Sequence, residues 1–193
     1  TQTLSASFTP ADTDNFNQVV ARVELVVNKA DSILSWSDPT EIVFGTLLSG
    51  TQLNATANVA GSFVYTPPND TQLDAGDDQV LSVTFTPDSA NYNEAPTTVM
   101  IDVAKATPVL TWTDPANSAA GTPLSGTQLN ATADVPGTFA YTPDEGTILN
   151  AGSDQPLSVT FTPTDGDNYE TATRTVFINV TQTLDFGDAP SNY

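Results

Sequence analysis

Through most of the chain, apolar and polar residues alternate one by one. In residues 51–59, Leu53, Ala55, Ala57 and Val59 alternate with Gln52, Asn54, Thr56 and Asn58. Leu81, Val83 and Phe85 alternate with Ser82, Thr84 and Thr86; Phe63 and Tyr65 form a shorter version after Gly61; Val99, Ile101 and Val103 follow the same rule around Asp102. A period of two puts every second side chain on one face of a strand, so these runs predict strands with one buried face. No segment has a helical period. Turn chemistry separates the runs at intervals of roughly 8–12 residues. Examples are Ser49-Gly50, Thr66-Pro67-Pro68-Asn69-Asp70 and Asp74-Ala75-Gly76-Asp77. The prolines are expected at strand ends, where the missing N–H costs nothing.

The pattern returns with a period of 76 residues, as Lys29-Ala30 reappears at Lys105-Ala106 and Leu34-Ser35-Trp36 at Leu110-Thr111-Trp112. The run 48–57 recurs intact as 124–133, and Leu81-Ser82-Val83-Thr84-Phe85 as 157–161. A one-residue insertion then shifts Asn91-Tyr92 onto Asn168-Tyr169. Residues 29–104 and 105–180 are therefore two copies of one module. Residues 1–28 match only the last third of a copy, so the chain is expected to begin inside an earlier repeat. Residues 181–193, with Asp185-Phe186-Gly187-Asp188-Ala189-Pro190, match nothing in the repeat and read as a linker or the start of another module, similar to the opening of one found in multidomain bacterial surface proteins.

Seven or so short strands in a module of this size need a second sheet to cover their apolar face, which predicts a small two-sheet sandwich. Trp36 and Trp112, one per module, are the expected core anchors. Residues 157–169, closing on Asp165-Gly166-Asp167-Asn168-Tyr169 and followed by Thr175-Val176-Phe177-Ile178-Asn179-Val180, resemble the bacterial immunoglobulin-like repeats of large cell-surface and adhesin proteins; residues 105–112 resemble the opening of the same unit. The resemblance implies an all-β chain of tandem immunoglobulin-like β-sandwich repeats of about 76 residues. It also implies a structural role.

Charge narrows the function further. The 193 residues include 23 acidic and 4 basic ones, for a formal net charge of −19, with no Cys and no His. Disulfides, the usual zinc sites, haem ligation by His and Ser/His or Cys/His nucleophile pairs are excluded. Arg22, Lys29, Lys105 and Arg174 are the only basic side chains and cannot form the stripe that neutralises phosphates, so nucleic acid and anionic lipid are excluded as partners. No apolar run is long enough to span a membrane, and a targeting signal, if any, is expected outside this stretch. The acidity predicts mutual repulsion at neutral pH and association near the sequence pI of about 4.1.

Carboxylates are the only groups left for chemistry. Asp12 and Asp14, and Asp165 and Asp167, alternate in acidic turns and are the candidate metal ligands, since Ca²⁺ takes several oxygens. The other reading is a solvated turn shaped by Asx hydrogen bonds. The middle copy, Asp88-Ser89-Ala90-Asn91, is one residue shorter and one carboxylate poorer, which weighs toward the turn. Asp74, Asp77 and Asp78 in one loop, and Asp88 with Glu94, are carboxylate pairs of the kind a glycosidase uses. No pair is kept strictly in both modules, and so small a module has little room for a cleft. Lys29 and Lys105 lie at module boundaries, away from where an isopeptide cross-link needs a lysine. Asn54, Asn69, Asn130 and Asn179 fit the glycosylation sequon, with solvent-facing strand positions as the plainer reading. Tyr65, Tyr92, Tyr141 and Tyr169 are either a sugar platform or packing residues.

These residues predict a non-catalytic, extracellular spacer or stalk whose partners are neighbouring repeats of the same chain. Two alternatives stand beside it. The first is a filament subunit in which residues 1–28 donate strands to an identical chain. The second is a glycan-binding sandwich using loops such as residues 70–79.

Overall fold

The computed structural model describes residues 1–182, and every regular element among them is a β-strand. The fold is all-β. Its packing divides the chain into two units. The first takes Thr1–Pro39, Ser49–Asn69 and Val80–Met100; the second takes Thr40–Leu48, Asp70–Gln79 and the described chain from Ile101 onward. Two segments of the first sequence repeat, and residues 101–104 at its end, thus belong to the same unit as the second repeat.

The first unit opens with β1 (Gln2–Phe8) and β2 (Val19–Leu25), an antiparallel hairpin that pairs Gln2 with Leu25 and Phe8 with Val19. Every residue of both strands is exposed. The first repeat then contributes β3 (Ala30–Asp31), β4 (Leu34–Ser35), β5 (Ile42–Val43), β6 (Thr56–Ala57), β7 (Gly61–Thr66), β8 (Gly76–Pro87), β9 (Tyr92–Asn93) and β10 (Ala95–Ala104). β4 pairs with β6, β3 with β9, and β7 with β8. Leu81, Val83 and Phe85 on β8 are at most 1% exposed, as their alternation predicts.

The second repeat runs β11 (Leu110–Thr111), β12 (Ser118–Ala119), β13 (Thr132–Ala133), β14 (Gly137–Thr142), β15 (Gly152–Pro163) and β16 (Ala172–Thr181). One sheet has the order β12-β16-β15-β14, with β12 parallel to β16 and the other pairs antiparallel; β11 and β13 form the second. The core holds Trp112, Leu124 and Leu129 together with Leu157, Val159 and Phe161 of β15 and Val176 and Ile178 of β16. Full burial of each such aliphatic or aromatic side chain contributes roughly 1.5–3 kcal/mol. Gly137 permits this packing: a Cβ there would overlap the Phe161 ring and the Thr162 carbonyl, so β14 passes the ring only as glycine.

Three expectations need correction. Residues 51–59 alternate, yet only Thr56 and Ala57 join a ladder, and Gln52 is buried rather than outward. The chain turns at residues 49–53, where the Leu53 N–H donates to the Ser49 carbonyl at 2.9 Å, and the Gln52 side-chain carbonyl accepts from the Ser49 N–H at 3.1 Å and its hydroxyl at 3.0 Å. The backbone carbonyl of Gln52, in the same turn, accepts the Trp36 indole N–H at 3.0 Å. Second, Pro156 lies inside β15, beside the bulge between Gly152 and Gln155, a place where a strand tolerates a missing donor. Third, the two tryptophans differ: Trp112 is 2% exposed, whereas Trp36 is only half-buried. Residues 183–193 lie outside the described residues, and with them the Asp185–Pro190 motif.

Candidate functional site

The acidic turns are built the same way at two places. In residues 12–16 the Asn15 N–H donates to Asp12 Oδ1 at 3.1 Å and the Asn15 amide to Asp12 Oδ2 at 2.9 Å. In residues 165–169 the Asn168 N–H donates to Asp165 Oδ1 at 3.1 Å and its amide to Asp165 Oδ2 at 3.0 Å. An Asp followed three residues later by an Asn closes the turn through both carboxylate oxygens, an Asx device. The Asn15 amide, then its backbone N–H, hold the Asp12 carboxyl below its ordinary value of 3.8. Residues 88–92 keep the Asp-x-x-Asn spacing, Asp88 to Asn91, but not these bonds; there the Asn91 N–H meets the Ser89 hydroxyl at 3.3 Å.

Of the four candidate metal ligands, Asp12 and Asp165 thus spend both oxygens within their own turns. Asp14 and Asp167 are exposed on the same turns. Among the described residues no three acidic side chains converge on a common point.

Within the second unit the turn at 165–169 meets the two loops drawn from the first repeat. Asn168 Oδ1 accepts the Ala75 N–H at 2.8 Å, and its amide reaches Asp74 Oδ1 at 3.3 Å. The Tyr169 ring stands edge-on to Phe44, with centroids 5.3 Å apart and planes at 78°, a geometry that contributes beyond simple area burial. Lys105 Nζ donates to the Gly166 carbonyl, and the Ala106 N–H to the Asn168 carbonyl at 3.0 Å. The Asn168 amide therefore has every donor and its acceptor engaged. Sequence reasoning treated Asn168-Tyr169 as a marker of the repeat and missed this role. The available signal was the insertion that makes this turn one residue longer, and one carboxylate richer, than the middle copy's.

The remaining candidates fall elsewhere. Tyr65 and Tyr141 are packing residues: each hydroxyl accepts a backbone N–H, from Ala55 at 3.0 Å and Ala131 at 2.9 Å, and each ring stands edge-on to its repeat's tryptophan. Tyr92 pairs through its backbone with Ala30. The Asn54 and Asn130 amides donate to the Thr51 and Thr127 carbonyls at 3.0 and 3.1 Å, while Asn179 accepts the Asp154 N–H at 2.9 Å. Asn69 is exposed. In the loop at 74–78 the Asp78 N–H donates to Asp102 at 2.8 Å, and Glu94 accepts from the Thr86 hydroxyl at 3.3 Å. Three hollows, along the β1–β2 hairpin, beside Lys29 and beside Tyr169, hold one carboxylate between them, Asp165. Arg174 was noted only as a scarce cation; its guanidinium donates to the Trp112 and Leu110 carbonyls at 2.9 and 3.3 Å, tying β16 to β11 and to the core tryptophan that follows it.

No family model and no curated protein matches the chain. Among solved structures it is similar to the immunoglobulin domains 1–5 of Sidekick-1, at 9% identity and a TM-score of 0.35, covering 94% of this chain and 45% of that one. It is similar to Drosophila N-cadherin EC1-4 at 14% identity and a TM-score of 0.33, covering 79% and 50%, and to the extracellular cadherin domains 1–4 of protocadherin gamma B7 at 16% and 0.28, covering 88% and 55%. The chain spans about half the length of these structures.

Proposed function

We propose that this chain is part of a non-catalytic, extracellular repeat array that acts as a stalk or spacer in a bacterial surface or adhesin-like protein. The observation that carries the reading is the joint inside the second unit. β10 ends at Ala104, and Ala106 already bridges to Tyr169, so Lys105 alone lies between the last strand of one repeat and the first backbone bridge of the next. A spacer of one residue, with side chains bonded across the joint, restricts bending in a way a Gly/Ser linker does not. The absence of His and Cys and the strong acidity suit such a solvated, chemically inert element. In this reading Asp12, Asp14, Asp165 and Asp167 shape turns rather than hold Ca²⁺, and millimolar Ca²⁺ leaves the amide resonances of Asn15 and Asn168 in place. Small-angle scattering of the full chain tests the spacer. An extended particle of fixed length is expected, and a compact or freely hinged one rejects it.

A second reading, a filament subunit completed by strand donation, draws on the β1–β2 hairpin. Leu4, Phe8, Val23, Leu25 and Val27 are 47–67% exposed there, and both outer strand edges lack a partner among the described residues. Sedimentation of the full chain, beside one lacking residues 1–28, separates the readings. An oligomer that needs residues 1–28 supports donation, and monomers in both samples reject it.

A further inference from the structure

The two acidic turns share a spacing, a hydrogen-bond pattern and an aromatic fifth residue, Phe16 or Tyr169. Only the turn at 165–169 is seen docked. Its receiving surface has three parts: the Phe44 ring, the Ala75 N–H and the Asp74 carboxylate. We propose that the Asp-x-Asp-Asn-aromatic turn is a docking plug, that Phe44 with Asp74-Ala75 is its socket, and that residues 12–16 are a second plug fitted to an immunoglobulin-like repeat bearing a socket of this chemistry.

The socket's selectivity follows from the Asn168 amide. Its Oδ1 needs a backbone N–H, while its nitrogen is shared between two carboxylates, Asp165 and Asp74. An aspartate at that place loses the donor and faces both anions. Asn15 is oriented by Asp12 as Asn168 is by Asp165, and its Oδ1 has no partner among the described residues. A second copy of this chain does not offer the matching surface. Its first socket is filled by its own plug, and one period later Phe44 and Asp74 are replaced by Ala120 and Asn150, so the ring and the carboxylate are gone while Ala151 stands where Ala75 does. The partner of residues 12–16 is therefore a different repeat, one that carries an aromatic residue and an acidic loop with a free N–H. This inference rests on the array reading only in that the partner is a repeat.

Amide hydrogen exchange of Ala75 in the full chain tests it, with the Asp154 amide, bonded to Asn179, as an internal reference for folding. Asn168→Ala is expected to speed exchange at Ala75 by about fivefold relative to Asp154, the loss of one hydrogen bond. Grafting the first turn into the second, as Gly166→Thr with Tyr169→Phe, keeps Ala75 protected; position 166 has open space around it and accepts a side chain. Grafting the middle copy's shorter turn, as Thr164→Asp, Asp165→Ser and Asp167→Ala with Gly166 deleted, removes the protection. Should Asn168→Ala disturb Asp154 as well, Phe44→Ala takes its place, since it leaves the backbone groups of the socket intact and is also expected to speed Ala75. Unchanged exchange at Ala75 in the variant that keeps Asp154 protected overturns the plug. Loss of protection with the 12–16 graft overturns its assignment as a second one. A failed stalk reading shows instead in scattering, with Ala75 still protected.

Discussion

The β1–β2 hairpin and the β15–β16 hairpin are one structure in two settings. Leu4 faces Val23 as Leu157 faces Val176, Phe8 faces Val19 as Phe161 faces Ala172, and the same Asp-x-x-Asn turn follows the first strand of each. Yet Leu157 and Phe161 are 0% exposed, whereas Leu4 and Phe8 are 52% and 67% exposed. Register and turn are therefore local properties, set by alternation and by the Asx bonds. Burial is supplied from outside, by the layer of Trp112, Leu124 and Leu129 that the first hairpin lacks. Since an isolated two-stranded hairpin is marginal in water, the first should open far more readily than the second.

The largest effect expected from this contrast is at the paired phenylalanines. Phe161→Ala should cost about 3–5 kcal/mol, and Phe8→Ala, at an exposed site, within about 0.5 kcal/mol of nothing. Urea unfolding of both variants measures the difference, and equal losses would mean that the first hairpin is covered in solution. Next comes the glycine under the buried ring: Gly137→Ala should destabilise by about 1–3 kcal/mol through overpacking. Gly126→Ala, with nothing near the added carbon, serves as the reference. The smallest effect is at the exposed turn. Asp12 is held below 3.8 by Asn15, so its ionised form is favoured in the folded turn; that contribution is complete above pH 3.8 and lost as pH falls through the lowered value. Carboxyl chemical shifts should place its midpoint below 3.8, and a midpoint at or above that value removes the Asx bonds from the account.

The long strands were legible because alternation is a local signal: β7, β8 and β10 and their counterparts β14, β15 and β16 lie where the period-two runs place them. The short ladders were not. β4 and β6 pair over two residues each, too few for a period to register, and the turn at 49–53 brings the Gln52 side chain inward onto Ser49 while its backbone carbonyl receives the Trp36 indole. The plug and socket were the least legible, since Asn168 and Asp74 are 94 positions apart. Only the inserted residue hinted that the last turn differs from the middle one.

One consequence lies in the direction of the strands that receive the chain. Ala106 bridges to Tyr169 in parallel, and Ser118 and Ala119 pair in parallel with Val180 and Thr181, so the beginning of the second repeat runs alongside its own end. Tension along the chain pulls such neighbours past each other lengthwise, loading their hydrogen bonds together in shear. Antiparallel neighbours drawn apart from one end instead peel open one bond at a time. A repeat held at both ends in this manner resists stretching through its geometry before its core is called upon.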